Sequence, residues 1–271
     1  MKDKHKINCL IGILLIGMAS CEKTTKLIDE NTKTVYLDTL NTANVKVVQL
    51  FAGNTPTLPT AATTTQGPQV FIYANGQKLT GASIGYGGVF PTTANYANLP
   101  AGSTRFDVIN GRINLNVVPN VPSFIAGDTL ATLTTNLEKG KTYSLYLTDT
   151  VPTMRFVIKE DVLISPNEAT FKLRVANFFM NNVPTDTVSL FSVLQNAEII
   201  KDVTHKNVSD WVELPITILA DSLIFRKKGT TTPYVTPLVF SGSSKRMYTI
   251  VGRGKLGVVS KTPSMISIIN R

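Results

Sequence analysis

Few residues in this chain have the type and spacing for chemistry. Gly81-Ala82-Ser83-Ile84-Gly85 has the Gly-x-Ser-x-Gly spacing that exposes a nucleophilic serine at a strained strand-to-helix turn. The residues that follow, Tyr86-Gly87-Gly88-Val89-Phe90-Pro91, cannot start such a helix, so a glycine-rich bend between strands is predicted instead. Gly252-Arg253-Gly254-Lys255-Leu256-Gly257 has dinucleotide-fingerprint spacing and follows a strand-like run. Val258-Val259-Ser260-Lys261-Thr262-Pro263 does not open the helix whose N-terminus would hold a pyrophosphate. Beyond residue 20 there is one histidine, His205 in Thr204-His205-Lys206-Asn207, which removes His-pair metal sites and reads as a solvated turn. Asp29-Glu30 and Glu160-Asp161 are the adjacent acid pairs considered for glycosidase-like chemistry, and both read as solvated charges. The expectation is therefore a non-enzymatic protein with no cofactor and no metal site. Trp211, the single tryptophan, is a candidate glycan-stacking platform with Tyr234 or Tyr248, weighed against a structural aromatic whose repeat counterpart is Tyr96.

The N-terminus reads as an export signal. Lys2, Lys4 and Lys6 precede the apolar run Cys9–Met18, which is too short to span a bilayer and long enough for a signal peptide. Met18-Ala19-Ser20-Cys21 resembles the lipobox of bacterial lipoproteins, which implies cleavage before Cys21 and acylation of its thiol. More than one acyl chain, palmitate included, gives stable anchoring where a single chain does not. Cys9 would leave with residues 1–20 and Cys21 would carry lipid, so a disulfide framework and a cysteine-ligated zinc are excluded. Glu22 in place of aspartate implies the outer membrane, with the facing side, periplasmic or outward, left open. Residues 21–43 are polar and threonine-rich and read as a tether.

With 43% apolar and 17% charged residues, the chain must fold. Period-two alternation recurs in Arg105-Phe106-Asp107-Val108, Tyr143-Ser144-Leu145-Tyr146-Leu147 and Phe171-Lys172-Leu173-Arg174-Val175. Asn75-Gly76, Glu138-Lys139-Gly140-Lys141 and Ser241-Gly242-Ser243-Ser244 are turn signals between such runs. Six blocks recur in the same order in the two halves of the chain. Val45–Phe51 answers Phe171–Phe178, Val70–Leu79 answers the run from Val188, and Tyr96–Pro100 answers Trp211–Pro215. Arg105–Val108 answers Leu223–Arg226, Gly140–Leu145 answers Lys245–Ile250, and Pro152–Ile158 answers Pro263–Ile269. The prediction is an all-β protein of two tandem sandwich domains, 44–161 and 169–271, joined by Ser165-Pro166-Asn167-Glu168.

The second strand with its hairpin, Leu99-Pro100-Ala101-Gly102-Ser103-Thr104, and Leu137-Glu138-Lys139-Gly140-Lys141-Thr142-Tyr143 resemble the tandem bacterial domains of unknown function 4397. That resemblance implies immunoglobulin-like sandwiches on an anchored, exported protein of the Bacteroidota type. It carries over no catalytic residue. The first loop, Gly53 to Pro68, departs from the family pattern.

Charge is unevenly placed. The net charge is +9, yet residues 222–271 hold nine basic residues and no acid, while 21–221 hold fifteen basic and seventeen acidic. Arg226, Lys227, Lys228, Lys245, Arg246, Arg253 and Lys255 are thus a candidate anionic-ligand face. Acidic polysaccharide, lipopolysaccharide or an envelope protein would be its partners, and nucleic acid is not expected in this compartment. Thr39, Thr129, Thr150, Thr187 and Ser222 each follow an aspartate and precede an aliphatic residue, as in Bacteroidota O-glycosylation acceptors. The function expected is a lipid-anchored envelope module for binding, adhesion or assembly. The alternative is an accessory glycan-binding lipoprotein of an outer-membrane nutrient-uptake system.

Overall fold

The computed structural model describes residues 41–51, 69–111, 127–149, 154–180, 187–255 and 262–271. Their strands fall into two series of nine. The first is β1 (Thr42–Gln49), β2 (Val70–Ala74), β3 (Gln77–Lys78), β4 (Val89–Phe90), β5 (Ala97–Pro100), β6 (Gly102–Asn110), β7 (Thr129–Leu137), β8 (Thr142–Thr148) and β9 (Arg155–Glu160). The second is β10 (Thr170–Phe179), β11 (Thr187–Ser192), β12 (Ala197–Thr204), β13 (Asn207–Val208), β14 (Val212–Pro215), β15 (Asp221–Lys227), β16 (Leu238–Phe240), β17 (Met247–Gly254) and β18 (Ser264–Ile269).

Pairing repeats strand for strand. One sheet of the first unit runs β4-β1-β8-β9 with β5 also on β1, and the other runs β3-β2-β6-β7. The second unit has β13-β10-β17-β18 with β14 on β10, and β12-β11-β15-β16. Adding nine to each strand of the first unit gives the second, so the repeat read from sequence is a repeat of topology. In both, the central pair is parallel, β1 with β8 and β10 with β17. A constant-type immunoglobulin sandwich has two antiparallel sheets, so the likeness lies in the two packed layers rather than in the strand pairing.

Local chemistry explains the turns. Asn75 and Gly76 both take positive φ, 51° and 78°, which lets a two-residue turn close β2 onto β3 with the twist that strands require. The hydroxyls of Tyr143 and Tyr248 accept the backbone N–H of Glu138 and Ser243, five residues upstream in each case, pinning equivalent turns.

Three apolar clusters order the sheets into four layers. Val45, Val47, Leu145, Ile72, Phe106 and Val108 lie between the two sheets of the first unit, and Leu173, Val175, Leu190, Phe225 and Ile250 between those of the second. Val48, Leu50 and Tyr146 of the first unit meet Ala176, Phe178 and Val251 of the second. The β1 and β10 sheets are therefore the inner layers, covered on both faces. That is why β1 and β10 are buried almost continuously while β6 alternates.

The ladders correct two registers read from sequence. Thr42 faces Pro100 and Thr170 faces Pro215, so Val45 answers Leu173 and Lys46 answers Arg174. Reading Val45 in step with Phe171 slips the strand by two. In the last block, Phe156 rather than Met154 answers Met265, again a shift of two. A two-residue slip leaves every side chain on its own face, so hydrophobic pattern does not detect it.

Candidate functional site

Lys46 and Arg174 occupy the same place in β1 and β10, on the face turned to the other unit, and both are buried. Each lies over an aromatic ring at the start of the strand beside it. Lys46 Nζ is 4.6 Å from the Tyr96 ring centroid and Arg174 Cζ is 4.3 Å from that of Trp211. The ends of β9 and β18 supply the partners. Asp161 and Asn270 follow those strands at equivalent positions, and each binds the hydroxyl of its own unit: Ser144 donates to Asp161 Oδ2 at 2.6 Å and Thr249 donates to Asn270 Oδ1 at 2.7 Å.

Across the seam these groups close a ring. Arg174 Nε donates to Thr249 Oγ1 (2.9 Å), and the Asn270 amide donates to the Tyr96 hydroxyl oxygen (2.9 Å). Tyr96 in turn donates to Asp161 Oδ2 (2.7 Å), and Arg174 Nη2 pairs with Asp161 Oδ1 at 2.6 Å. Lys46 Nζ donates to the carbonyls of Thr93 (2.6 Å) and, in the other unit, Ile269 (2.7 Å). Burial pushes the Lys46 ammonium down to about 8, opposed by the nearby Asp161 carboxylate. Burial, helped by Asp161, pushes the Tyr96 phenol well above its ordinary value.

Asp161 is thus not the solvated boundary charge expected from sequence. It is a buried carboxylate held by a buried guanidinium, and these charges serve the join between the units. Lys46, Arg174, Tyr96 and Asn270 were not singled out together from sequence either. The available signal was a cation inside each of the two strands that open the repeats, Lys46 in the first and Arg174, beside Lys172, in the second.

A cavity of about 340 Å³ opens beside this ring, lined by Lys159, Glu160 and Val162 of the first unit and Arg174, Ser209, Asp210 and Trp211 of the second. Trp211 is half-buried there, with Arg174 against its ring. Tyr234 and Tyr248 do not join it. Tyr234 packs edge-on against Phe179, and Tyr248 packs against Phe171 and Phe240 inside the second unit.

The basic residues lie along β15 and β17 and in the turns beside them. Lys245 and Arg246 precede β17 and Arg253 lies near its far end, about 25 Å away at ~3.3 Å per residue. Lys245 pairs with Glu168 at 2.7 Å and Lys228 with Asp202 at 3.5 Å. Arg226 stacks on Phe191, Lys227 sits over Tyr234, and Arg253 lies over Tyr86 of the first unit. Lys255 follows β17 half-buried. The acid-free stretch therefore meets acids from elsewhere in the chain, Glu168 in the turn before β10 and Asp202 in β12, which a count along the chain does not reveal.

The remaining candidates are placed as follows. Ser83 lies in a bend and donates to Gln69 Oε1 (3.0 Å), while Ile84 bridges to Val70, with no helix following. Gly252 and Gly254 are inside β17. A side chain at Gly252 would lie 2.3 Å from the Phe179 ring, so packing accounts for this glycine. His205 is in the β12–β13 turn, half-buried. Thr129 is exposed at the start of β7, Thr187 donates to Asp202 (3.2 Å), and Ser222 pairs with Val239. Cys21, Thr39 and Thr150 lie outside the described residues. No group of three or more His, Cys, Asp or Glu side chains suited to a metal occurs among the described residues.

Residues 58–186 match the family model for a domain of unknown function (DUF4397). The match runs from before β2 to beyond the end of β10, across the boundary between the two units. No curated protein matches the chain. Among solved structures, the chain is similar to the TIE protein of Bacillus anthracis at 11% identity and a TM-score of 0.24, over 79% of this chain and 34% of that one. It thus spans about a third of that protein's length. Proposed cell adhesion proteins of Bacteroides uniformis and Bacteroides fragilis are each 12% identical, with TM-scores of 0.19 and 0.18, over 84% of this chain and 98% of theirs. At such scores the fold rests on the strand order itself.

Proposed function

We propose that this protein is a non-enzymatic binding module of the bacterial envelope, anchored in the outer membrane through lipid on Cys21. Residues 1–20 are its signal peptide and 21–43 its tether. Two immunoglobulin-like sandwiches, 44–161 and 169–271, form the body that presents the site. The observation that carries the reading is the cavity at the seam, to which both units contribute and whose size suits a small ligand or one residue of a polymer. Arg174 and Asp161 neutralise each other within the join, so their charges act in structure.

The Trp211 indole in that cavity, ringed by Lys159, Glu160, Ser209 and Asp210, favours a second reading as a glycan-binding partner of a nutrient-uptake system. A screen of neutral glycans and anionic envelope polymers tests both. Neutral-glycan binding lost in Trp211→Ala supports the second reading. Salt-sensitive binding of anionic polysaccharide or lipopolysaccharide, lost on reversing Lys227 and Lys228 to glutamate, supports a basic-surface form of the first. Turnover of any glycan by the purified protein refutes both. Thr39, Thr129, Thr150, Thr187 and Ser222 are proposed O-glycosylation sites, and intact mass of protein from its native host measures their occupancy.

A further inference from the structure

Sheet edges are sites of association unless something blocks them, because an edge strand leaves alternate N–H and C=O groups unpaired. Most edges in this fold are blocked. β3, β4 and β13 have two residues each, and β16 has three. β9 carries Arg155, Lys159 and Glu160, and β12 carries Glu198, Lys201 and Asp202 together with an irregular register. β18 is uncharged, but its Ile269 carbonyl is taken by Lys46 of the first unit.

β7 is different. Its nine residues, Thr-Leu-Ala-Thr-Leu-Thr-Thr-Asn-Leu, contain no charge and no proline, and five of the nine are the β-branched or amide residues Thr and Asn. It pairs with β6 along one edge, and no strand among the described residues pairs with the other. The irregularity in its ladder is confined to the Thr129 end, leaving Ala131 to Leu137 in regular register. Its counterpart β16 has three residues, so among the described residues the long edge with no second partner is that of the first unit.

We propose that β7 pairs antiparallel with β7 of a second copy of this chain, joining two β3-β2-β6-β7 sheets into one eight-stranded sheet. The strand is self-complementary for this. A two-fold axis at Leu133 sets Leu133 opposite Leu133, Thr132 opposite Thr134, and Ala131 opposite Thr135. Each pair matches residues of one face. Thr132 and Thr134 are exposed, while Ala131 and Leu133 are half-buried and pack towards the core. Threonine opposite threonine is a favourable cross-strand pair, and an uncharged strand meets no like charge in its own copy. Such a contact is isologous and closes at two copies. An edge pair alone buries less than the ~1,200 Å² of a standard interface, so association is reversible and concentration-dependent.

The test is the molar mass of the full chain in mild detergent, measured against concentration by light scattering or sedimentation, for the wild type, Thr134→Lys and Thr134→Glu. Thr134 is exposed, and its neighbour across the β6–β7 ladder is the exposed Arg105. In the pairing described, the two copies of residue 134 are diagonal neighbours about 7–8 Å apart, within reach of long side chains. The wild type should double in mass with concentration. Each variant alone should dimerise about fivefold or more less readily, and an equal mixture of the two should recover a dimer containing one of each. Amide exchange along β7, but not β9, should slow as wild-type concentration rises. A wild type that stays single at all concentrations overturns the proposal. So does a dimer indifferent to charge at residue 134, or a mixture that fails to recover.

Discussion

The sharpest consequence of the seam concerns Asp161. Asp161→Ala removes the acceptor of the Tyr96 and Ser144 hydroxyls and the counter-ion of Arg174, and leaves Arg174, 1% exposed, as a buried cation. Removing one member of a buried, hydrogen-bonded pair costs about 3–5 kcal/mol, because the survivor keeps its desolvation penalty. At about 2–4 °C per kcal/mol for a body of this size, the melting temperature should fall by about 6–20 °C. Replacing both partners, Asp161→Leu with Arg174→Met, removes the stranded charge and should recover most of the loss. Urea unfolding monitored separately by Trp211 fluorescence and far-ultraviolet circular dichroism is the assay. Wild-type probes should coincide if the seam unites the units, and should separate in Asp161→Ala as the units unfold apart. A loss under about 1 kcal/mol, or a double variant no better than Asp161→Ala, would refute the claim that the ring joins the units.

Four further outcomes follow from other parts of the structure. Lys46 titrates near 8 when folded and near 10.5 when unfolded, so between those values the unfolded chain binds more protons. Its contribution to stability therefore rises with pH from about 8 towards 10, above which the raised Tyr96 and Tyr146 phenols act in the opposite sense; Lys46→Met should remove the rise in a urea-midpoint series. Gly252→Ala should cost about 1–3 kcal/mol through its clash with Phe179, measured by thermal melting. Trp211→Ala should abolish any neutral-glycan affinity in calorimetry, and Lys159→Ala at the opposite wall should weaken it with little effect on melting temperature. Breaking the exposed Lys228–Asp202 pair with Lys228→Ala should leave melting within error, since screened surface pairs contribute little.

Much of the fold was legible in the chain itself because strands carry local signatures. Alternation marked β6, β8 and β10, Asn75-Gly76 marked its hairpin, and the blocks Tyr96–Pro100 and Trp211–Pro215 each contain a strand, β5 and β14, that starts one residue in. The equivalence of Trp211 with Tyr96 was also legible, since both precede a Leu-Pro pair. The role of Asp161 was not. Two acids before a proline-containing linker look solvated unless it is known that the second unit folds back over them. The ion pairs of the basic stretch were not legible either. Acid-free along the sequence, it meets Glu168 and Asp202 through Lys245 and Lys228, residues far apart in the chain.

The sequence by itself determined that the body is all-β, that it is built twice, and where most turns fall. These properties depend on period, turn chemistry and short spacing, which act between neighbours in the chain. The tertiary structure decided that the β1 and β10 sheets face each other, that Lys46 and Arg174 are equivalent, that a five-residue ring crosses their seam, and that β7 has one partner strand among the described residues. Each of these depends on which faces and edges meet after folding. Both a two-residue register slip and the stacking of one sandwich on another leave the hydrophobic pattern unchanged, so only the folded chain could choose among them.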